Sequence, residues 1–271
     1  EDGTAIKAAS HVGPVNLFLH SLFSQVDIML YDVQITSSNH CYAYRAFLET
    51  LLSYGEDTKA SHLQASLFYK DEGNVEATNP RADPVANRGF KNRSEPTLNG
   101  PVQMIGRLHS DIFFQNRYLL NDVTMRVRLI RSKDTFSLMF DGANYKTKIL
   151  EAKLLIRKVK LAPSIYLAYQ KALQTGDAKY PIKRIVTKSF TVPAGQLDLT
   201  NENLFTGQIP NRIVLGLVEN QAFNGIANRN PSTVCCQYAA SQALLINSLL
   251  FYIINVKLII LMLMFVCYYV P

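Results

Sequence analysis

Between Val123 and Arg131 the residue type switches at every step: Val123, Met125, Val127 and Leu129 alternate with Thr124, Arg126 and Arg128. Successive side chains of an extended chain point to opposite faces, so a period of two predicts a half-buried β-strand. The pattern recurs along the chain. Val26–Ile35 places Val26, Ile28 and Leu30 on one side and Asp27 and Met29 on the other, with Tyr31-Asp32 positioned to fold it into a hairpin. Ile149–Leu161 reads as a long strand with Leu150, Ala152, Leu154 and Ile156 on one face, closed by Pro163. Ile182, Val186, Phe190 and Val192 recur at even spacing, and Arg212–Val218 is another run. Val102–His109, Asp111–Phe114 and Thr135–Phe140, the last ending at the Asp141-Gly142 turn pair, complete the expected strands.

Helical signals are fewer. Val12–Phe23 is apolar on several faces and helix-compatible. Ala43, Ala46, Phe47, Leu51 and Tyr54 fall at helical spacing before a stop at Gly55. Ser61–Tyr69 reads as a helical turn, and Ser164–Thr175 as a helix capped by Ser164 and stopped by Gly176. The polar stretch Asp71–Pro101 reads as a long loop, as does Asn220–Asn230. Its glycosylation sequon, Asn92-Arg93-Ser94, has no secretory context, because Glu1–Ser10 is polar and opens acidic. Many short strands, few helices and Pro, Gly and Asn punctuation predict a mainly β fold, a jelly-roll β-sandwich with short helices. A doubly wound α/β enzyme is disfavoured.

Charge is distributed unevenly. The 271 residues carry 28 Lys and Arg against 21 Asp and Glu, a formal charge of +7, yet Lys257 is the only charged residue from Ser232 to Pro271. Leu244–Val270 is long and apolar enough to be read as a transmembrane helix, which would make the protein tail-anchored. Cys41, Cys235, Cys236 and Cys267 lack the spacing of a disulfide framework or a metal site, so reduced thiols are expected. Because Glu1 is not Met, the sequence reads as a fragment.

Chemistry-bearing motifs are not found: no phosphate-binding glycine loop, no nucleophile elbow, no zinc-protease helix. His11, His20, His40, His62 and His109 stand singly, and Asp111 two residues from His109 only imitates an acid–base pair. No catalytic, cofactor or metal residue is assigned. Lys146, Lys148, Lys153, Arg157, Lys158 and Lys160 crowd one segment, but as a strand it would divide them between two faces. A nucleic-acid stripe is therefore disfavoured against solvated strand edges.

Five ordered blocks resemble a known family: Val12–Phe23, Tyr44–Gly55, Met104–Gln115, Val127–Arg131, and Tyr180–Arg184 with Phe190–Gly195. Together they are similar to the major capsid protein of Polinton (Maverick) transposons, from about Gly3 to Pro231. The resemblance implies an incomplete double jelly roll: residues 1–176 as a truncated first jelly roll and 177–231 as opening strands of the second. Residues 232–271 would be an unrelated tail with the 244–270 helix. It further implies a shell-forming structural protein without catalysis, whose partner is itself in trimeric capsomers, located in a virion, cytoplasm or nucleus. The alternative expectation is a membrane protein held by its tail, with a β-sandwich domain that binds a partner or nucleic acid.

Overall fold

The computed structural model describes residues 10–82, 84–142, 145–194, 198–202, 210–239, 248–252 and 259–268. Along them run β1 (Val12–Pro14), α1 (Phe18–Ser21), β2 (Phe23–Leu30), β3 (Val33–Gln34), α2 (Tyr42–Ser53), α3 (Glu56–Lys59), α4 (Arg88–Leu98), β4 (Met125–Arg131), α5 (Asp134–Ser137) and β5 (Leu138–Phe140). The second half holds α6 (Pro163–Leu173), β6 (Lys183–Val192), β7 (Asp198–Glu202), β8 (Arg212–Glu219), α7 (Asn220–Phe223), β9 (Cys235–Ala239), β10 (Ser248–Tyr252) and β11 (Ile259–Tyr268). The strands form four separate antiparallel sheets, ordered β3-β2-β4, β6-β11-β8-β9, β1-β5 and β10-β7.

Helix α2 is the hub. Every residue from Tyr42 to Thr50 is buried, so the helix is covered on all sides rather than along one stripe. Tyr42 joins Val26 and Ile28 of β2 and Ile112. Ala46 and Phe47 pack on Leu17 and Phe68, Leu48 on Val214, and Tyr44 on Val218 and Ala222. One helix thereby links the β2 sheet to the β8 sheet. Leu17 and Leu67 both take the left-handed backbone (φ 54° and 57°), a conformation that costs about 1–2 kcal/mol for an L-residue. Both side chains are buried, which offsets it.

Helix α4 corrects the expected 71–101 loop. Asn87 caps it, its side-chain oxygen accepting from the Phe90 N–H at 3.1 Å. Its buried face is Phe90, Arg93 and Ser94, spaced as neighbours on one helical side, and it crosses β1 at Gly13. A Cβ there would lie 2.0 Å from Ser94 Oγ and 2.6 Å from Phe90 Cζ, so only glycine permits the crossing. Two of those three buried residues are polar, which is why hydropathy hides the helix. The sequon's Ser94 is fully buried, donating to the Phe90 carbonyl at 2.7 Å.

Strands form where expected at β2, β4, β6 and β8, though β2 buries Val26, Asp27 and Ile28 in succession and β8 buries Ile213–Gly216 without alternation, and the hairpin turns at Tyr31-Asp32 as expected. The jelly-roll sandwich does not form. Among the described residues the fold is mixed α/β, with 29% helix, 21% strand and no closed or curled sheet, and helix α2 occupies the middle. Alternation fixes which face a residue takes, but a strand also needs an edge to pair with. Residues 149–161 find none and form no ladder. Residues 102–109 are irregular, and Asp111–Phe114 is a 3₁₀ turn. Thr135–Phe140 divides between α5 and β5, the expected Val12–Phe23 helix shrinks to α1 between two strands, and Asn220–Asn230 opens with α7. Leu129, expected inward, is 42% exposed. Ala162, with Pro163 at the first helical position, replaces Ser164 as the cap of α6.

The expected 244–270 helix is corrected wherever the structure describes it. Ser248–Tyr252 pairs with β7, and Ile259–Tyr268 lies between β6 and β8; the rest of that span is outside the described residues. A continuous apolar run is as compatible with a central strand as with a helix, and periodicity cannot separate the two. Among the described residues no helix is long and apolar enough to cross a membrane.

Candidate functional site

Two regions gather chemistry. The first lies beneath α2, where Tyr42, Arg45 and Glu49 share one side of the helix at steps of three and four. They meet His20 of α1 together with His109 and Asp111, and all six are buried. Arg45 Nε donates to Glu49 Oε1 at 2.9 Å and Nη2 to Asp111 Oδ1 at 2.5 Å. Asp111 Oδ1 also accepts the Ile185 N–H of β6 at 3.2 Å. His109 Nδ1 hydrogen-bonds Glu49 Oε2, and since an ionised carboxylate only accepts, Nδ1 carries the proton. The His109 backbone N–H donates to Tyr42 Oη at 3.3 Å, and Tyr42 in turn contacts His20 Nδ1 at 3.0 Å. The two imidazoles meet edge to face, 4.8 Å between centroids.

Burial dictates the charge states. Desolvation, reinforced by His109, lowers the His20 pKa to about 3, so His20 is neutral and its Nδ1 accepts the Tyr42 proton. Burial raises Tyr42 as well. For Glu49, burial pushes upward, but the His109 hydrogen bond and the Arg45 charge prevail and the carboxyl sits below its usual range. Asp111 goes the other way: burial outweighs Arg45, and its pKa is raised. Arg45, desolvated but held between two carboxylates, is raised overall.

A carboxylate-oriented histidine is half of a nucleophile-activating device. Here the other half is missing among the described residues: no hydroxyl or thiol hydrogen-bonds the His109 ring, and the Oγ of neighbouring Ser110 is unpaired. The adjoining cavity is about 20 Å³, too small for any substrate larger than water. His109 and Asp111 do not pair with each other as an acid–base couple; they pair with Glu49 and Arg45. Nor do the histidines all stand singly, since His20 and His109 meet. The readable signal for this cluster was the polar series Tyr42, Arg45, Glu49 within an otherwise apolar helix. Among the described residues no group of three or more His, Cys, Asp or Glu could hold a metal.

The second region is the segment from 148 to 179. Of its 32 residues 30 are exposed; only Leu161 and Tyr166 are half-buried. It is fixed at both ends. On one side Arg131 donates to the Thr147 carbonyl and the Thr147 N–H to Asp134 Oδ1. On the other Arg117 donates to the Lys179 carbonyl at 2.6 Å. Between them Tyr166 Oη reaches Asp122 Oδ2 at 3.0 Å. Ten of the 19 exposed large hydrophobics among the described residues lie on this arm, led by Leu155 at 77%, Leu150 at 68% and Leu167 at 67%. It carries seven Lys or Arg against Glu151 and Asp177. Because no strand forms, the expected division of its basic residues between two strand faces does not apply.

No family model matches the chain, and no solved structure matches it. An uncharacterised protein of Caenorhabditis elegans is 25% identical over 224 residues, covering 80% of this chain and 50% of that protein. The chain thus spans about half the length of the curated relative it matches. The expectation of a jelly-roll capsid shell protein is corrected by these findings: the fold is mixed α/β without a closed sheet, and no match supports that role. The alternative of a β-sandwich on a tail helix falls with the sandwich and with the strands of the tail.

Proposed function

We propose that this protein is a non-catalytic association module, and that it docks on further copies of itself through the 148–179 arm. The observation that carries this reading is the concentration of ten large, exposed apolar side chains on an arm with no buried residue. Monomeric proteins rarely leave contiguous apolar surface of that extent in water. An interface of standard size takes roughly 20–30 residues from each partner, and the arm supplies 32. A protein surface fits better than a bilayer, because much of the arm is extended and unpaired, and lipid offers its backbone no hydrogen bonds.

Sedimentation of the full chain over a concentration series tests the proposal. Concentration-dependent dimers or larger species are expected, and they strengthen with salt, since copies of formal charge +7 repel each other. Binding to an acidic partner or nucleic acid would weaken with salt instead. A strictly monomeric chain at every concentration and ionic strength overturns the reading.

A further inference from the structure

The 148–179 arm holds apolar side chains in water, and it also leaves a main chain unused. Among the described residues no backbone hydrogen bond is made to residues 149–161, although their alternation is that of a strand. A strand edge is unused as well. β4 is the outer strand of the β3-β2-β4 sheet and pairs with β2 alone. Its Met125 and Val127 pack on the core of Val26, Ile28, Tyr42 and Ile112, but Leu129, next in that row, is exposed. The outer strand β6 of the other large sheet differs: its Ile185 N–H already donates to Asp111, and its Thr187 carbonyl accepts from Asn39.

We propose that the arm is a strand donor: residues 149–161 of one copy add to the free edge of β4 in a second copy. This rests on the arm's being a self-association surface and names its acceptor. A bare edge recruits an extended segment through main-chain bonds, and side chains at alternate positions set the register. With Leu150, Leu154 and Ile156 turned inward, the added strand continues the row of Met125 and Val127 and covers Leu129. Its opposite face then carries Ile149, Leu155 and Val159, a second apolar row that is also exposed. That second row selects the occupant. The arm's own β4 is within reach, because the arm is tied to Arg131 at one end of β4 and to Asp122 just before the other. A strand laid there would leave the second row in water, whereas a strand shared between two bodies covers both rows. Both strands carry cations, so salt that screens them strengthens the pairing.

Hydrogen exchange of the full chain across a concentration series, with sedimentation alongside, tests the pairing. The amides of 125–131 and 149–161 are expected to gain protection together as the chain associates. Proline separates main chain from side chain, because it removes one N–H from a ladder. Consecutive N–H groups of a strand point to opposite sides, so Leu154→Pro and Leu155→Pro are made separately, each beside its alanine counterpart. At least one proline variant is expected to associate about tenfold more weakly than the alanine variant at its position. Both should keep the parent's unfolding midpoint, since these residues hold no main-chain bond in the fold. Arm protection that rises without β4 overturns strand donation and leaves self-association standing. So does equal association of each proline and alanine pair, or protection of both segments in the dilute monomer, which places the strand on its own β4. A chain that never associates overturns self-association itself, and the donation with it.

Discussion

Beneath α2, six titratable side chains sit out of water; on the 148–179 arm, ten large apolar side chains sit in it. Each region inverts the usual placement of its residue types, yet only one is compensated within the chain. The buried charges pair with one another, Glu49 also meets the His109 ring, and Asp111 also accepts the Ile185 N–H. The arm's leucines and isoleucines have no such partners. Satisfied charge indoors is a structural device, whereas uncovered apolar surface outdoors calls for cover from another molecule. The two regions should therefore respond oppositely to substitution: the cluster through stability, the arm through association.

Breaking the cluster should have the largest effect. Arg45→Met keeps most of the volume of α2 but leaves Glu49 and Asp111 buried without their shared cation. Removing one partner of a buried ion pair costs about 3–5 kcal/mol, and the loss should appear as a lower midpoint in urea unfolding. If Arg45→Met unfolds like the parent, the cluster is not the structural centre argued here. Replacing Arg45, Glu49 and Asp111 together by apolar residues should recover much of the loss, because the cost lies in the orphaned charges rather than in the missing bonds.

Acid should act next. His20 has a folded pKa of about 3 against an ordinary value of 6.5, so between those values the unfolded chain binds a proton that the folded one refuses. Stability then falls as pH drops through that window and levels off below it, by up to a few kcal/mol. Glu49, lowered in the fold, adds loss in the same direction as pH falls through its folded value. Asp111, raised in the fold, opposes them: its contribution is present in acid and fades as pH rises through its raised pKa. The test compares urea midpoints at pH 7 and pH 4 for the parent and for His20→Gln, which keeps an acceptor for Tyr42. A pH 4 loss that His20→Gln does not reduce would remove His20 as its source.

How far the sequence discloses this contrast depends on what kind of partner each residue needs. The hairpin at Tyr31-Asp32, the α2 helix and the strands β4, β6 and β8 follow from local periodicity, because their patterns are short-range. The meeting of His20, Glu49 and His109 is not local: the residues are 29 and 60 positions apart, and only the closure of the 102–114 segment over α2 joins them. The same holds for Asn230, which reads as a loop residue and in fact binds Asp71 Oδ2 at 3.1 Å and the Val75 carbonyl at 3.0 Å. Asp71 in turn holds the fully buried Arg93 at 2.5 Å. Asn230→Ala should cost about 1–2 kcal/mol through these lost bonds, less than Arg45→Met, and hydrogen exchange around residues 71–77 should speed up with it. The arm misled in a different way, since residues 149–161 have a strand's composition and nothing in their own order reveals that no edge awaits them.

Leu155→Asp should have the smallest effect on stability and the clearest effect on association. The side chain is 77% exposed, so it contributes almost nothing to the packed interior, and surface changes away from special features fall within about 0.5 kcal/mol. If the arm meets another copy, however, a carboxylate now has to be buried at the contact, which costs several kcal/mol unless it is paired. The neighbouring basic residues raise an objection: Lys153 and Arg157 could pair with the new carboxylate and soften the penalty. Ile165→Asp on α6 answers it: no Lys or Arg stands three or four residues away along the helix, and the side chain is 44% exposed. Both variants should keep the parent's unfolding midpoint while sedimenting as monomers. Should they unfold early, the arm belongs to the fold's interior energetics; should they keep both midpoint and association, the contact lies elsewhere on the surface.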